Sequence, residues 1–291
     1  MGAVSNVTQV SNTHTVNKVL SLRAAPEFAK TVMMPDLIYS EPLPKGQGTK
    51  TKGFRSFGSV TAAALAEATA GSLGSIRSDT IADATAAKAV RMSGVSFETE
   101  MFSINDLSSY LASDASALGR YVDDQILALF TSVTEQVDAD GALTTDHIDE
   151  CLVTLYEKEI PNIEKDMVAV ISPRAHKNIK ADIKESGGAA FGNERFLSVF
   201  DGNPRPNNYV GHLPGVDLYV ATSGLTAVSA QSAQCVYHPD WAFAGMFDDM
   251  VHVWLNQKGS EGVYYELVSF YFWAAVLWND DAAVELLSST N

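Results

Sequence analysis

Two cysteines in 291 residues, Cys151 and Cys235, are too few for a disulfide framework. The opening MGAVSNVTQVSNTHTVNK holds no apolar segment of the kind that directs secretion, so reduced thiols in a cytosolic setting are expected. Long hydrophobic runs are missing as well. The most apolar stretch, residues 263–278, is interrupted by Glu266 and falls short of the roughly 20 residues a membrane helix needs, so no membrane segment is expected. Basic charge is scarce over most of the chain: residues 101–291 hold ten Lys/Arg against 27 Asp/Glu, whereas residues 1–100 hold ten against eight. The net charge of -15 therefore sits almost wholly in the second part, which argues against a phosphate-based grip on nucleic acid.

Catalytic signatures are missing too. There is no glycine loop followed by Lys-Ser/Thr to cradle phosphates, and no GxSxG elbow to present a nucleophile. Asp248, Asp249, His252 and His238 carry metal-capable donors, but such spacing arises by chance near strands and nothing repeats it. His147 lies one helical turn from Cys151, where a buried helix cysteine beside a surface histidine is the commoner arrangement. The carboxylate pairs at 123/124, 248/249 and 280/281 are adjacent in sequence, point in different directions and read as solvated faces. No catalytic residue, cofactor or metal is expected, and the chain is not expected to be an enzyme; a cytosolic α/β enzyme remains the alternative from another class.

What is present is one long amphipathic element. Residues 105–134, NDLSSYLASDASALGRYVDDQILALFTSVT, lack proline and contain only Gly119. At 100° per residue Leu107, Leu111, Leu118, Val122, Ile126, Leu129 and Val133 share an arc of about 100°, with Ser109, Ser113, Arg120, Asp123, Asp124 and Thr131 opposite. This predicts a helix of about 45 Å capped by Asn105 or Ser103. Leu127 and Phe130 leave the stripe, so the ILALF end should be buried on more than one side, as suits a rod bridging two domains.

Residues 1–35, rich in Ser, Thr, Asn and Val without steady periodicity, read as an arm, either frayed or laid along a neighbouring surface. From 38 to 61 the cations Lys45, Lys50, Lys52 and Arg55 meet no acid after Glu41, and glycines at 46, 48 and 53 with prolines at 42 and 44 put them on a loop or open hairpin. Against so acidic a body, a projecting basic hairpin has a complement on another copy of the chain. The Ala/Thr/Ser-rich tract that follows fits helix or extended chain equally. Residues 92–104 alternate as a strand feeding the long helix. Thr144 or Thr145 caps a second helix ended by Pro161, residues 167–171 (MVAVI) form a buried strand, and Ser172-Pro173 opens a third helix. Residues 186–215 form a long loop, 215–222 and 235–238 are strands, and 251–255 and 263–273 are joined by a turn. In the last strand Tyr265, Leu267, Ser269, Tyr271 and Trp273 share one face while Tyr264, Val268, Phe270 and Phe272 share the other. Both faces need cover, from helix or from another subunit.

This order of elements, with the phrases GSVTAAALAEAT, VISPRAHKNI and GHLPGVDLYVATS, resembles the major capsid proteins of tailed double-stranded-DNA bacteriophages, whose fold is shared with encapsulins and the herpesvirus capsid floor. The resemblance covers residues 20–287. It implies an α+β fold with an N-terminal arm (1–36), an extended β-hairpin loop and connecting tract (37–90), a peripheral domain with a spine helix (91–144, completed by 256–291) and an axial α/β domain (145–255). It further implies hexamers and pentamers that self-assemble into an icosahedral shell around the genome, with double-stranded DNA enclosed and not read by sequence. Lys45, Lys50, Lys52, Arg55, Phe54 and Phe57 would then contact a neighbouring subunit, and the stripe from Leu107 to Leu129 would be the buried face of the spine. With no coiled-coil segment visible at the amino end, a separate scaffolding protein is expected, beside a portal and a cement or decoration protein. The implied location is the virion capsid, assembled in the host bacterial cytoplasm. An encapsulin-like compartment is the alternative within the same fold.

Overall fold

The computed structural model describes residues 6–45, 50–56, 80–96, 107–158, 166–185, 208–228, 231–258 and 264–289, and the account below concerns these. The segment expected as an arm without steady periodicity is largely helical. Helix α1 spans Asn6–Thr31 and continues into a 3-10 turn at Met34–Asp36. Leu20, Ala24, Phe28 and Val32 recur every fourth residue and are buried. Weak helix formers and the internal Pro26 hide this pattern in the sequence, and tertiary packing supplies what propensity lacks. α1 lies along the long helix α2, Leu107–Leu127. At their contact a Cβ on Gly119 would stand 3.2 Å from Thr31 Cβ, so glycine lets the two helices approach.

α2 has 21 residues, about 30 Å, and tightens into a 3-10 turn at Ala128–Ser132 before Val133 adopts an extended backbone. The rod's carboxyl end thus falls short of the expected Thr134. Leu111, Ala115, Leu118, Val122 and Ile126 are buried, Leu129 is half-buried, and the Leu107 side chain lies outside the described residues. Leu127 and Phe130 are also buried, as a terminus covered on more than one side requires. Residues 97–106, which include the expected cap and the second half of the expected strand, lie outside the described residues.

Two large sheets accompany this helical pair, the first packed along it and the second at the end of α2. The first has the order β1 (Tyr39–Pro42), β11 (Phe243–Phe247), β13 (Tyr264–Leu277), β12 (His252–Lys258), with β4 (Ala87–Ser96) also paired to β13. The second has the order β5 (Gln136–Asp138), β14 (Ala283–Ser289), β10 (Gln231–Tyr237), β6 (Met167–Ile171), β8 (Val216–Val220), β7 (Tyr209–Leu213), with β9 (Ala227–Val228) on β10. A separate pair joins β2 (Thr51–Ser56) to β3 (Thr80–Thr85). Helices α3, Thr145–Glu157, and α4, Pro173–Glu185, complete the α/β part; Ser172 Oγ accepts the Ala175 N–H at 3.1 Å, as an N-cap should. β11 and β12 thus pair in the five-stranded sheet, while β14, which follows them in the chain, lies in the seven-stranded one.

The two sheets meet at the end of α2. Phe130 stands 5.9 Å from Tyr237 and 5.5 Å from Phe243, ring centre to ring centre, and Tyr237 meets Phe243 edge-on at 5.1 Å. All three are completely buried.

Asp123 departs most from its expected place. It was assigned to the solvated face of the helix, yet it is buried beneath the junction of α1 and the 3-10 turn. Its carboxylate accepts the Met33 N–H at 2.9 Å and the Met34 N–H at 2.9 Å, two donors that a helix end leaves without partners. Burial pushes this carboxyl up to about 7, against the pull of the two N–H groups and helped by Asp124 and Asp36. Between about pH 4 and 7 the folded chain then holds a proton that the unfolded chain releases, so stability falls as pH rises through that window. We expect the urea midpoint of the unsubstituted protein to drop from about pH 5 to about pH 8 more steeply than that of Asp123→Asn. Parallel pH profiles would show that Asp123 does not titrate there.

Candidate assembly surfaces

Two cations of the basic segment pair with acids of the same chain. Lys45 Nζ lies 3.0 Å from Asp248 Oδ1 and 2.6 Å from Asp249 Oδ2 in the turn between β11 and β12, and Lys52 pairs with Glu41. Lys45 and Lys52, expected to seek acid on another copy, thus also find acid within the chain. Acid brought close by folding neutralises them at no cost in translational freedom, which a partner's acid could not match. Lys50 and Arg55 are exposed.

Of Phe54, expected at a subunit contact, only 4% of the surface is exposed in the single chain. It sits at the root of the β2–β3 pair, 6.4 Å from Tyr39 and 6.1 Å from Trp278, over Ala84, Ala244, Met246 and Ala274. Phe57 lies outside the described residues, as does the stretch between β2 and β3. The partner of β2 is thus 24 or more residues away in sequence, in the tract whose structure sequence left open.

Asp248 organises the opposite side of this contact. Its carboxylate bonds His252 Nε2 at 2.8 Å, Lys45 Nζ at 3.0 Å and the Asp249 N–H at 2.8 Å, and its carbonyl accepts the Tyr271 hydroxyl at 2.9 Å. The pair 248/249 is therefore not a uniform solvated face: the Asp248 side chain is 3% exposed and that of Asp249 is 62%. The metal-capable set divides as well. An ammonium group fills the place beside Asp248 and His252, while buried His238 accepts the Asp240 N–H at Nδ1, 3.2 Å. Near the other singled-out pair, His147 Nδ1 lies 2.7 Å from Thr144 Oγ1 at the start of α3, and burial pushes the Cys151 thiol up to about 12, which removes it as a nucleophile.

A surface that sequence reasoning marked only as needing cover is the outer face of the five-stranded sheet. Trp254, Val268 and Met92 form one cross-strand row over β12, β13 and β4, and His252, Phe270 and Val90 form the next. Trp254 is 55% exposed, Met92 60% and Val90 46%. Lys88 Nζ rests 4.2 Å from the Phe270 ring centre, and the His252 and Phe270 rings stack at 5.2 Å. The inner face of β13, with Leu267, Ser269, Tyr271 and Trp273, is buried, Tyr271 against Phe28 at 4.5 Å.

The Asp248 network yields a measurable asymmetry. Burial would raise its carboxyl, but hydrogen bonds from His252 and Lys45 bring it below the usual carboxylate range. Its stabilisation is thus complete above about pH 4 and disappears as pH falls through the depressed folded value. Asp248→Asn should cost about 2 kcal/mol at neutral pH, whereas Asp249→Asn should stay within about 0.5 kcal/mol. Equal effects in urea unfolding would show that the network is not centred on Asp248.

No sequence family and no curated protein matches the chain. Its structure is similar to solved shells. A capsid chain of cyanophage P-SCSP1u superposes with a TM-score of 0.63 at 13% identity over 90% of this chain and 89% of that one. The mature capsid of bacteriophage PhiM1 gives 0.62 at 12% identity over 89% and 87%. The holo-SrpI encapsulin complex of Synechococcus elongatus gives 0.59 at 12% identity over 86% and 85%. This likeness, over 85% or more of each chain, shows that the chain is an α+β protein with the fold of tailed-phage major capsid chains, a fold the encapsulin shares.

Proposed function

We propose that this chain is the major capsid protein of a tailed double-stranded-DNA bacteriophage, and that it assembles as hexamers and pentamers into an icosahedral shell around the genome. The observation that carries this reading is the likeness over about 90% of both chains to phage capsids, with no large part of either left over. The exposed Trp254, Met92 and Val90 in the rows Trp254–Val268–Met92 and His252–Phe270–Val90 support it, since apolar side chains on such a sheet face gain burial when a second copy covers them. The acidity of residues 101–291 suits a wall from which packed DNA is repelled and along which it can slide. In this reading α2 is the spine. The five-stranded sheet belongs to the peripheral domain, the seven-stranded sheet to the axial domain, and β2–β3 carries the extended loop, with Lys50 and Arg55 meeting a neighbouring subunit. The protein is structural and not an enzyme. A scaffolding protein, a portal and a cement or decoration protein are its proposed partners, and assembly takes place in the host bacterial cytoplasm.

An encapsulin-like compartment is the second reading, favoured by the Synechococcus encapsulin and by the virus-like particle of Pyrococcus furiosus, which superposes over 93% of this chain and 99% of that one with a TM-score of 0.58.

Negative-stain microscopy of the expressed chain, alone and together with the products of neighbouring genes, should show closed shells. Nucleic acid inside purified particles supports the capsid reading, enzyme cargo the compartment reading, and a monomer under all conditions refutes both. Within that assay, Lys50→Glu should leave a soluble chain but reduce or misdirect closure, because reversing an exposed charge weakens attraction between copies without opening the core. Lys45→Glu with Lys52→Glu should instead lower the stability of the single chain, where those partners lie. Unchanged shells from the Lys50 variant would remove the electrostatic contact.

A further inference from the structure

One side-chain cluster away from these surfaces draws donors from three neighbouring strands. His212 in β7 and Asp217 in β8 are direct cross-strand partners, so their side chains leave the same face of the seven-stranded sheet. β6 lies on the other side of β8 with Val168 opposite Asp217, and Asp166 stands two residues before Val168, on that same face. A ring nitrogen of His212 and one carboxylate oxygen from each aspartate consequently lie within 4.8 Å of one another. The closest two, His212 Nδ1 and Asp217 Oδ1, are 3.0 Å apart. Asp166 is exposed and the other two are half-buried, so the cluster opens to water on one side.

The backbone beneath it is tightly held. The β7–β8 hairpin turns through Pro214 and Gly215, with Gly215 at φ 85°, a conformation that glycine adopts without strain. The Gly215 carbonyl then accepts the Met167 N–H at 2.8 Å, which ties the start of β6 to the same turn. His212 and Asp217 are therefore set by strand register, and Asp166 directly precedes the strand that the Met167 N–H fastens, the condition for a site that needs little rearrangement on binding.

Two carboxylates converging on one imidazole, with a solvent-facing side, make an open three-ligand set for a divalent cation. One nitrogen with two oxygens suits Zn2+, Mn2+ or Co2+, whereas Ca2+ takes six to eight oxygens. We propose that Asp166, His212 and Asp217 form a divalent transition-metal site that pins the edge strand β7 to β8 and to the start of β6. An ion that binds only the folded arrangement stabilises it by mass action, and here the gain falls on the outermost strand of the sheet.

The test is calorimetric titration of the untagged full chain with zinc chloride, beside hydrogen exchange of the β7 amides. Zinc should bind and slow that exchange, while calcium at the same concentration does neither. Asp166→Asn, a change at an exposed residue that leaves the hydrogen bond between His212 and Asp217 in place, should weaken zinc binding by about tenfold or more, and His212→Gln should do the same. Absence of zinc binding to the unsubstituted chain, or unchanged affinity in both variants, would overturn the site. Zinc binding without slower exchange in β7 would overturn the pinning role.

Discussion

The packing of Phe130, Tyr237 and Phe243 is the constraint on which the rest of the structure depends. Phe130 lies in the last turn of the helical rod, Tyr237 closes β10 in the seven-stranded sheet, and Phe243 opens β11 in the five-stranded sheet. The chain crosses between the sheets inside that short interval, and the crossing is fastened by the Ala242 N–H on the His238 carbonyl at 3.1 Å and the His238 N–H on the Ala282 carbonyl at 2.9 Å. Interiors at crystal-like density do not yield gradually, so moving either sheet relative to the rod means opening a cavity the size of an aromatic ring. Helix and both sheets consequently act as one block, which the proposed shell role needs if copies are to meet at fixed angles.

α1 solves a second problem for the same block. β12 is the last strand in its sheet order and would present unpaired N–H groups to solvent or to another chain. Ser21 Oγ accepts the Val253 N–H at 2.9 Å and Asn17 Oδ1 accepts the Leu255 N–H at 3.0 Å, so polar side chains of a helix satisfy the outward donors of a strand. This explains why α1 carries Asn and Ser where a helix built on propensity alone would carry Ala or Leu. Asp123 performs the matching task at the other end of α1, and its place in the core follows from two N–H groups that need an acceptor.

Much of the fold was legible in the sequence because local pattern and tertiary role agree there. The MVAVI run is a fully buried strand with the expected bounds, Thr144 and Ser172 stand before their helices, and the stripe from Leu111 to Ile126 is buried. Legibility failed where a residue answers a distant backbone group instead of its sequence neighbours. Asn17 and Ser21 look like disorder-prone residues until β12 lies beside them, and Asp123 and Asp248 look solvated until the Met33–Met34 turn and Lys45 are brought to them. The i, i+4 spacing of Leu20, Ala24 and Phe28 was the one available signal for α1, diluted by Pro26. Asp166, His212 and Asp217 are separated by up to 51 positions, and only the β6–β8–β7 register brings them together, so no spacing rule could have paired them.

Contacts made inside the chain also narrow what is left for contacts between copies. Phe54, Lys45, Lys52 and α1 all suit a partner subunit when judged by residue type, and all are engaged by the chain itself. The outer rows of the five-stranded sheet remain, with a half-exposed tryptophan and methionine, residue types enriched at the centres of interfaces. A β-sheet face three strands wide offers such side chains at fixed spacing, so a neighbour that fits loses little conformational freedom on docking. Under the proposed reading, association between copies then draws mainly on apolar burial, with Lys50 and Arg55 guiding approach. Burial of this kind is insensitive to ionic strength while charge guidance is screened within about 10 Å at 0.1 M salt, so salt should alter the rate at which copies meet far more than the persistence of shells already closed.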